Sequence, residues 1–509
     1  MSGLGHSIIS VLASGDARID GLLYESAWAD NKVTYAFPAG MSLAAAPYGA
    51  GEAEGIFSAS RDMQSVVAYA LDADNGLAEQ AGFAVSGFTK LEIIQTVSDG
   101  SAHINVAQTS EDPYNFNTAW GYFPSTSATA GDVWLTNKVY NYADQAPGQY
   151  AHVILQHELG HVLGLDHGHS ETAHGTVPTE YDTMEYSIMT YRSYEGADAL
   201  RYYNHSDGYA QSWMMLDIAA LQHLYGADFD ANAGDTIYRW DPEKGETMID
   251  GKAAIAPATN KIFATIWDGD GNDTYDLSAY RKPVDVDLAP GGHSLFSLDQ
   301  AAGLGNGNYA SGNIYNALQY DGDARSLIEN AIGGRGDDTI SGNSADNRLK
   351  GSAGKDELFG FDGRDKLIGN GGRDILDGGN ARDKLIGGGG KDTLIGGNGR
   401  DVLRGGNGDD TLIGNAGRDK MIGMKGADTF LFLTPEDSGT TRKSVDRIIN
   451  FSSGEDMMDF TALSAASVDY EETGKKSFSV FVDIDGDGAA DMQVDLLRTD
   501  SFGDGDFLF

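Results

Sequence analysis

The sequence predicts an α+β domain followed by an all-β parallel β-roll with a C-terminal β cap. Three observations carry this reading: helical and strand-like periodicities alternate through the first part of the chain, a period of nine runs unbroken from Gly333 to Leu431, and that period stops at Phe432, where aromatic and polar residues return. At 509 residues the chain exceeds one ordinary core, so two or more domains are expected. The boundaries fall at 1–235 for the α+β domain, 236–332 for a β-rich segment connecting it to the roll, 333–431 for the repeats and 432–509 for the cap.

In the first domain, helical periodicity spans Ser58 to Asn75, and strand-like runs follow at LEIIQTV (91–97), AHINVAQ (102–108), TAWGYFP (118–124) and GDVWLTN (131–137). A helix from Pro147 to Gly164 comes next, and MLDIAALQHLYG forms another that closes the domain near Ala227. A mixed sheet leading into helices is an α+β arrangement. In the connecting segment, WDGDGNDTYD (267–276) reads as an isolated cation loop.

Residues 157–167, HELGHVLGLDH, hold three histidines at the spacing one zinc ion needs. On a helix His157 and His161 share a face, four positions apart, with Glu158 beside the first. Gly164 can end the helix in a left-handed conformation and turn the chain so that His167 supplies a third nitrogen. Three protein ligands leave a coordination position open for water. Zinc so held lowers the pKa of its water towards ~7 and polarises a carbonyl, while Glu158 is placed to take the water proton and hand it to a leaving amine. Val162, Leu163 and Leu165 give the helix an apolar side. His152, His169, His174, His205 and His223 lack ligand spacing and read as surface or packed residues; Asp217 reads either as an acceptor orienting a ligand histidine or as a helix cap.

From Gly333 to Leu431 the chain divides into eleven consecutive nonapeptides of the form GGxGxDxUx. Position 1 is glycine throughout, and position 8 is apolar throughout, from Ile340 to Phe430. Position 6 is aspartate at Asp338, Asp356, Asp365, Asp374, Asp383, Asp392, Asp401, Asp410, Asp419 and Asp428, with Asn347 the exception. This period marks a parallel β-roll or β-helix whose turns bind calcium. The apolar residue points inward, glycines permit the turns, and stacked carboxylates that would repel one another are bridged by Ca²⁺. Ala345 and Ala381 stand where other repeats have glycine at position 4, which predicts weaker calcium binding at those two turns. Extracellular calcium modules bind with dissociation constants of roughly 10⁻⁴–10⁻³ M, so the roll is expected to fold only where calcium is plentiful, coupling folding to export. DIDGDGAADMQVD (483–495) matches the first half of an EF-hand loop but has Val494 where the bidentate glutamate belongs, and reads as an acidic turn between strands.

Composition narrows the field of functions. Acidic residues outnumber basic ones 76 to 35, a formal charge of −41, which disfavours nucleic acid and anionic membrane surfaces and favours divalent cations. Without cysteine there is neither disulfide nor thiolate ligand, nor latency by a cysteine on the zinc. The first residues have a short apolar run but no basic n-region, and no stretch approaches ~18 apolar residues, so neither a signal peptide nor a membrane span is expected. Asp506–Phe509, an acid and three apolar residues, reads equally as a final edge strand.

HELGHVLGLDH together with SIMTY (187–191) resembles the metzincin metallopeptidases, and with the nonapeptide roll the chain looks like a serralysin, a secreted bacterial zinc endopeptidase. AWGYFP (119–124), DIAALQHLYGAD (217–228), IENAIGGRGDD (328–338) and SVDRIINFSSGEDMMDF (444–460) agree with that family. One departure is Gly168, where the family has proline after the third histidine. The resemblance implies a metzincin-like peptidase domain. In it Met189 would be the floor beneath one catalytic Zn²⁺, with Tyr191 a further zinc ligand that swings away to stabilise the oxyanion. The strand Ala119, Trp120, Gly121 and Tyr122 would be the cleft rim to which substrate adds as an extended strand. On residues alone, SIMTY reads as a core turn followed by an ordinary tyrosine, and Ala119–Tyr122 can also be an ordinary interior strand. The resemblance further implies several structural Ca²⁺ ions, protein or peptide substrates and a proteinaceous inhibitor. It also implies a monomer exported by type I secretion machinery that reads Asp506–Phe509 without an N-terminal signal peptide. Two other classes stay open on the repeats: an extracellular structural or adhesive protein, and a polysaccharide-modifying enzyme carrying the same roll.

Overall fold

The computed structural model describes residues 6–38, 55–74, 78–97, 101–112, 118–138, 142 and 144–509. The chain forms two compact units. The first runs to Asn272 and includes Pro290–Ser326; the second comprises Asp273–Ala289 and Leu327–Phe509. WDGDGNDTYD, expected as an isolated cation loop, passes from the first unit into the second after Asn272.

The first unit is built on a mixed sheet in the order Glu92–Gln95, Lys32–Ala36, Ile104–Thr109, Asp132–Thr136 and Ala119–Gly121. The first four are parallel and the last is antiparallel to its neighbour, so Ala119–Gly121 is an edge strand and not an interior one. Each of the four strand-like runs contains one of these strands. The helix expected over 58–75 is shorter, Arg61–Leu71: the Ser60 hydroxyl accepts the Met63 amide at 3.2 Å and caps it, while Ile56–Ser58 pairs as a strand with Ile104–Thr109. Asn75 lies outside the described residues.

Two further helices, Tyr150–Val162 and Met215–Tyr225, pass through the core. Every residue from Ala151 to Val162 is buried, so the polar side chains on this helix must find partners inside the protein. Its C-terminus is closed as the sequence predicts. Gly164 has φ +99°, its amide reaches the His161 carbonyl at 3.0 Å, and the Leu165 amide reaches the Gly160 carbonyl at 2.9 Å, which together make a Schellman turn. Trp28 Nε1 and Tyr225 Oη donate to the Val162 and Leu163 carbonyls, satisfying two more orphan acceptors.

In the second unit each coil of the roll is two nonapeptides. Arg348–Ala353, Lys366–Gly371, Lys384–Gly389, Val402–Asn407 and Lys420–Lys425 form one parallel ladder. The alternate repeats, from Thr339–Ser341 to Thr429–Leu431, form the facing one. All the apolar residues at position 8 are fully buried between the two sheets. The stack is longer than the sequence period. Asp285–Asp287 and Asn330–Ile332 extend it at one end, and Asp446–Ile449, Met457–Asp459 and Phe507–Leu508 at the other. Beyond Phe432 the chain therefore continues the roll, with Met492–Leu497 parallel to Asp446–Ile449, and adds Ser477–Asp483 and Ser467–Gly474 antiparallel at that edge before Phe507–Leu508 rejoins the stack. The acidic segment 483–491 joins the last two as a turn, with the Asp491 carboxylate accepting the Ile484 amide.

Candidate metal centre

The helix and the turn after Gly164 bring His157, His161 and His167 together, their ligand atoms within 4.8 Å of one another. His167 Nε2 lies 3.1 Å from His157 Nε2 and 3.2 Å from His161 Nε2. The other ring nitrogens explain which atoms face inward. His157 Nδ1 donates to the Ile188 carbonyl at 2.7 Å and His161 Nδ1 to the Leu165 carbonyl at 2.8 Å; a carbonyl can only accept, so both rings present a bare Nε2 lone pair. Three ring nitrogens this close, two of them bare, are a donor set that a cation draws together. Tetrahedral zinc with Zn–N of about 2.0–2.1 Å sets ligand nitrogens ~3.3 Å apart, so the donor set fits that ion. Burial holds all three imidazoles neutral, His157 down to about 3, as metal ligation requires.

Glu158 is buried beside this cluster. Burial pushes its carboxyl up to about 8, opposed by a hydrogen bond from the Gly121 amide. That contact ties the edge strand to the helix. A Cβ on Gly121 would come within 2.7 Å of the Glu158 carbonyl oxygen, so only glycine allows the approach. A cleft of about 630 Å³ opens here, lined by Ala119–Gly121, Glu158, His161, His167 and Tyr191. The Tyr191 ring lies 5.7 Å from that of His157 and 4.6 Å from that of His167, and burial raises its hydroxyl well above the usual tyrosine range. Tyr122 follows the edge strand, exchanging hydrogen bonds with Asp132 and Gly131.

Met189 is fully buried under the helix, and its Sδ would be 2.4 Å from a Cβ at Gly160, so the small residue between the first two histidines makes room for the methionine. Asp217 resolves the choice left by the sequence. Its carboxylate caps the Met215–Tyr225 helix through the Met214 amide and also accepts from Ser187 Oγ at 2.6 Å and the Ile188 amide at 2.9 Å. Because the Ile188 carbonyl receives His157 Nδ1, Asp217 aims that ring through one intervening residue instead of touching it.

The other histidines do not join these three as ligands: His152 is buried and donates to the Gln145 carbonyl, His223 reaches the Leu12 carbonyl, His169 stacks on His167 at 5.2 Å, His174 is half-buried and His205 is exposed. His6, Asp30 and His103 also cluster, but the Thr34 amide donates to His103 Nδ1, so in neutral His103 Nε2 carries the proton and has no lone pair for a metal.

In the roll, every position-6 aspartate is buried. One carboxylate oxygen accepts the amide of the residue eighteen positions earlier, in an unbroken series from Asp356, which receives the Asp338 amide, to Asp428, which receives that of Asp410. The second oxygen of each aspartate from Asp356 to Asp428 is buried without a donor. Burial pushes the carboxyls up, to about 6 at Asp338 and Asp356, about 7 at Asp365 and Asp374 and about 9 at Asp419. Rows of buried, half-satisfied carboxylates fit calcium, which supplies charge and takes oxygen ligands. Asn347 shows the converse. Its oxygen accepts the Asn343 amide and its nitrogen donates to the Glu329 carbonyl and Asn343 Oδ1, so the amide is satisfied without an ion. The sequence reading missed two members of the series: Asp446 accepts the Asp419 amide and Asp456 the Asp428 amide. Their signal was present as Asp-x-apolar in DRI and DMM, displaced from the period by an insertion.

Residues 227–508 match the family model "Peptidase M10 serralysin C terminal". "Metalloprotease AprA" of Pseudomonas entomophila (strain L48) is 30% identical over 289 residues, 55% of this chain and 55% of its own length. "Serralysin G" of Dickeya chrysanthemi is 35% identical over 246 residues, 46% of this chain and 45% of its own. The chain thus spans about half the length of the curated relatives it matches. A solved structure titled "AlgE6R3 subunit from the Azotobacter vinelandii Mannuronan C5-epimerase" is 21% identical over 34% of this chain and 78% of its own, with a TM-score of 0.16, at which likeness carries no argument. More than half of the sequence falls within the matched model, and the chain belongs to the peptidase M10 serralysin C-terminal family.

Proposed function

We propose that this protein is a secreted, calcium-stabilised zinc endopeptidase that hydrolyses peptide bonds in extracellular proteins, its first unit a metzincin-like peptidase domain. The observation that carries the reading is the convergence of three Nε2 atoms, two of them bare, in a cleft beside a buried carboxyl. His157, His161 and His167 would hold the zinc. When bound, zinc supplies a Lewis acid and acidifies water to a pKa near ~7. Glu158 takes the proton of the attacking water and delivers it to the leaving amine. Tyr191 donates its hydroxyl to the developing oxyanion, a role its high pKa preserves at neutral pH. Substrate lies antiparallel along Ala119–Tyr122, read mainly through backbone hydrogen bonds, and Met189 supports the helix from below. The position-6 aspartates hold calcium in the roll. A structural, adhesive or polysaccharide-modifying protein would leave the histidine convergence without a purpose.

The test is casein hydrolysis by the zinc-loaded protein and by Glu158→Gln. The variant should bind zinc as tightly as the parent and lose at least ~10³-fold in kcat. Retained activity in Glu158→Gln, or a parent indifferent to zinc chelation, contradicts the assignment.

A further inference from the structure

One outer face of the roll contradicts the charge of the rest of the chain. In the ladder that begins with Arg348–Ala353, the outward residues at position 7 stack in register as Arg348, Lys366, Lys384, Val402, Lys420 and Arg447. Two residues earlier in each repeat, at the rim of the same face, stand Arg364, Arg382, Arg400 and Arg418. The rungs of such a ladder lie about 4.8 Å apart. Like charges at this spacing repel, and Lys366 is held below the usual lysine range by Arg348 first, then by burial and Lys384. None of these cations has an ion-pair partner within 4.0 Å among the described residues. Arg447 Nε is buried with no acceptor. Among the outward residues of these columns acids stand only near the ends, with Asp346 before Arg364 and Asp495 in register with Arg447; the position-6 aspartates lie buried behind the cations, and Arg382 opposes the rise of the Asp401 carboxyl. In a chain of formal charge −41, an unpaired cationic array costs free energy that packing alone does not require.

We propose that this face binds a linear anionic polysaccharide bearing a carboxylate on each sugar ring. A one-dimensional array of evenly spaced cations complements a polymer of evenly spaced anions. Beside the cations runs a second outward column, Lys350, Ile368, Ile386, Arg404 and Ile422, in which isoleucines suited to the C–H faces of sugar rings are interspersed with further cations. The ladder leads into a groove of about 420 Å³ lined by Arg404, Lys420, Lys425 and Arg498 together with Ile422 and Ile449. Single-stranded nucleic acid binding needs aromatic platforms, and these columns hold none, while the acidic remainder of the chain repels a densely charged phosphate backbone. Because the rungs exist only while the roll is folded, binding is calcium-dependent. This inference does not rest on the peptidase reading.

The experiment measures binding of the full chain in millimolar calcium to a short oligogalacturonate by calorimetry, with maltooligosaccharide, double-stranded DNA and phosphatidylglycerol vesicles as competitors. The parent should bind the uronate, more weakly by at least ~10-fold at 200 mM than at 50 mM salt. Arg382→Glu/Lys384→Glu/Arg400→Glu, whose side chains are all exposed, should lose at least ~100-fold while keeping the circular dichroism and casein hydrolysis of the parent. Lys384→Arg should bind like the parent. Absence of uronate binding by the parent, an unchanged affinity in the reversed variant, equal binding of maltooligosaccharide, or tighter binding of DNA or vesicles overturns the proposal.

Discussion

The histidine cluster and the aspartate array both leave donor atoms facing one another, but they are held there by different means. Two of the three inward histidines, His157 and His161, are aimed by backbone carbonyls, and those carbonyls belong to segments fixed by other contacts: Ile188 by Asp217, Leu165 by the Schellman turn. Remove the ion and neutral rings remain in a packed core. The aspartates are aimed by amides of the preceding coil, so the stack that orients the carboxylates also accumulates their charge. One site is preformed by tertiary packing; the other is a repeating structure whose folding opposes its own electrostatics until a cation arrives.

The largest expected effect tests that contrast directly. Withdrawing calcium from the folded protein should abolish hydrogen-exchange protection across the repeats, 339–431, together with most of the β circular-dichroism signal, while amides of Tyr150–Val162 stay protected. Withdrawing zinc alone should do neither and remove only activity. Protection in the repeats that survives calcium chelation would break the distinction.

Asp217→Ala comes second. Ser187 Oγ and the Ile188 and Met214 amides all lose a buried acceptor, for a total of roughly 3–5 kcal/mol in urea unfolding followed by tryptophan fluorescence. With Ile188 loosened, zinc affinity by competition titration should fall 10–100-fold. A variant that unfolds with the parent's midpoint would show that the clasp on the Ser187–Met189 turn is incidental.

The two regions also differed in how far they could be read beforehand. The roll was legible because a period-nine sequence is its own contact map: one strand repeats the next, and the in-register apolar residues follow from the count. Its ends were not legible, because Asp446 and Asp456 enter the same stack after insertions that hide the period, and residues 273–289 join from before it. In the first unit the local signals sufficed for the Tyr150–Val162 helix, the Gly164 turn and the meeting of three imidazoles. The strand at Ile56–Ser58 was lost because its register depends on Ile104–Thr109, far along the chain. The dual role of Asp217, and Gly160 as the space for Met189, are likewise tertiary facts that no spacing announces.

A smaller effect separates the units by acid. His152 is buried and neutral, its pKa lowered to about 4 by burial from an unfolded value near 6.5. The folded state therefore binds fewer protons between those values, and its stability is present above pH ~6.5 and lost as pH falls towards 4. At ~1.4 kcal/mol for each pKa unit, this one ring contributes up to about 3 kcal/mol of acid sensitivity. In His152→Gln the unfolding free energy of the first unit should fall less by that amount over the same range. Parallel pH profiles for variant and parent would assign the acid sensitivity elsewhere.

The smallest expected effect lies in two alanines that the sequence treats alike. Ala345 and Ala381 both stand at position 4, where Gly354, Gly363, Gly372 and Gly390 have φ between +115° and +152°. Ala381 is forced to φ +85°, in the left-handed region; Ala345 is not among the residues with positive φ. Left-handed backbone costs a non-glycine residue roughly 1–2 kcal/mol, and glycine returns ~0.4–1 kcal/mol of that through the freedom of its unfolded chain. Ala381→Gly should therefore stabilise the calcium-loaded roll by about 0.5–1 kcal/mol, while Ala345→Gly, with no strain to relieve, should destabilise it by a similar amount. Thermal unfolding at fixed calcium measures both. The opposite signs are the point: if the two variants shift together, the strain at Ala381 is relieved in solution and position 4 is governed by calcium ligation alone.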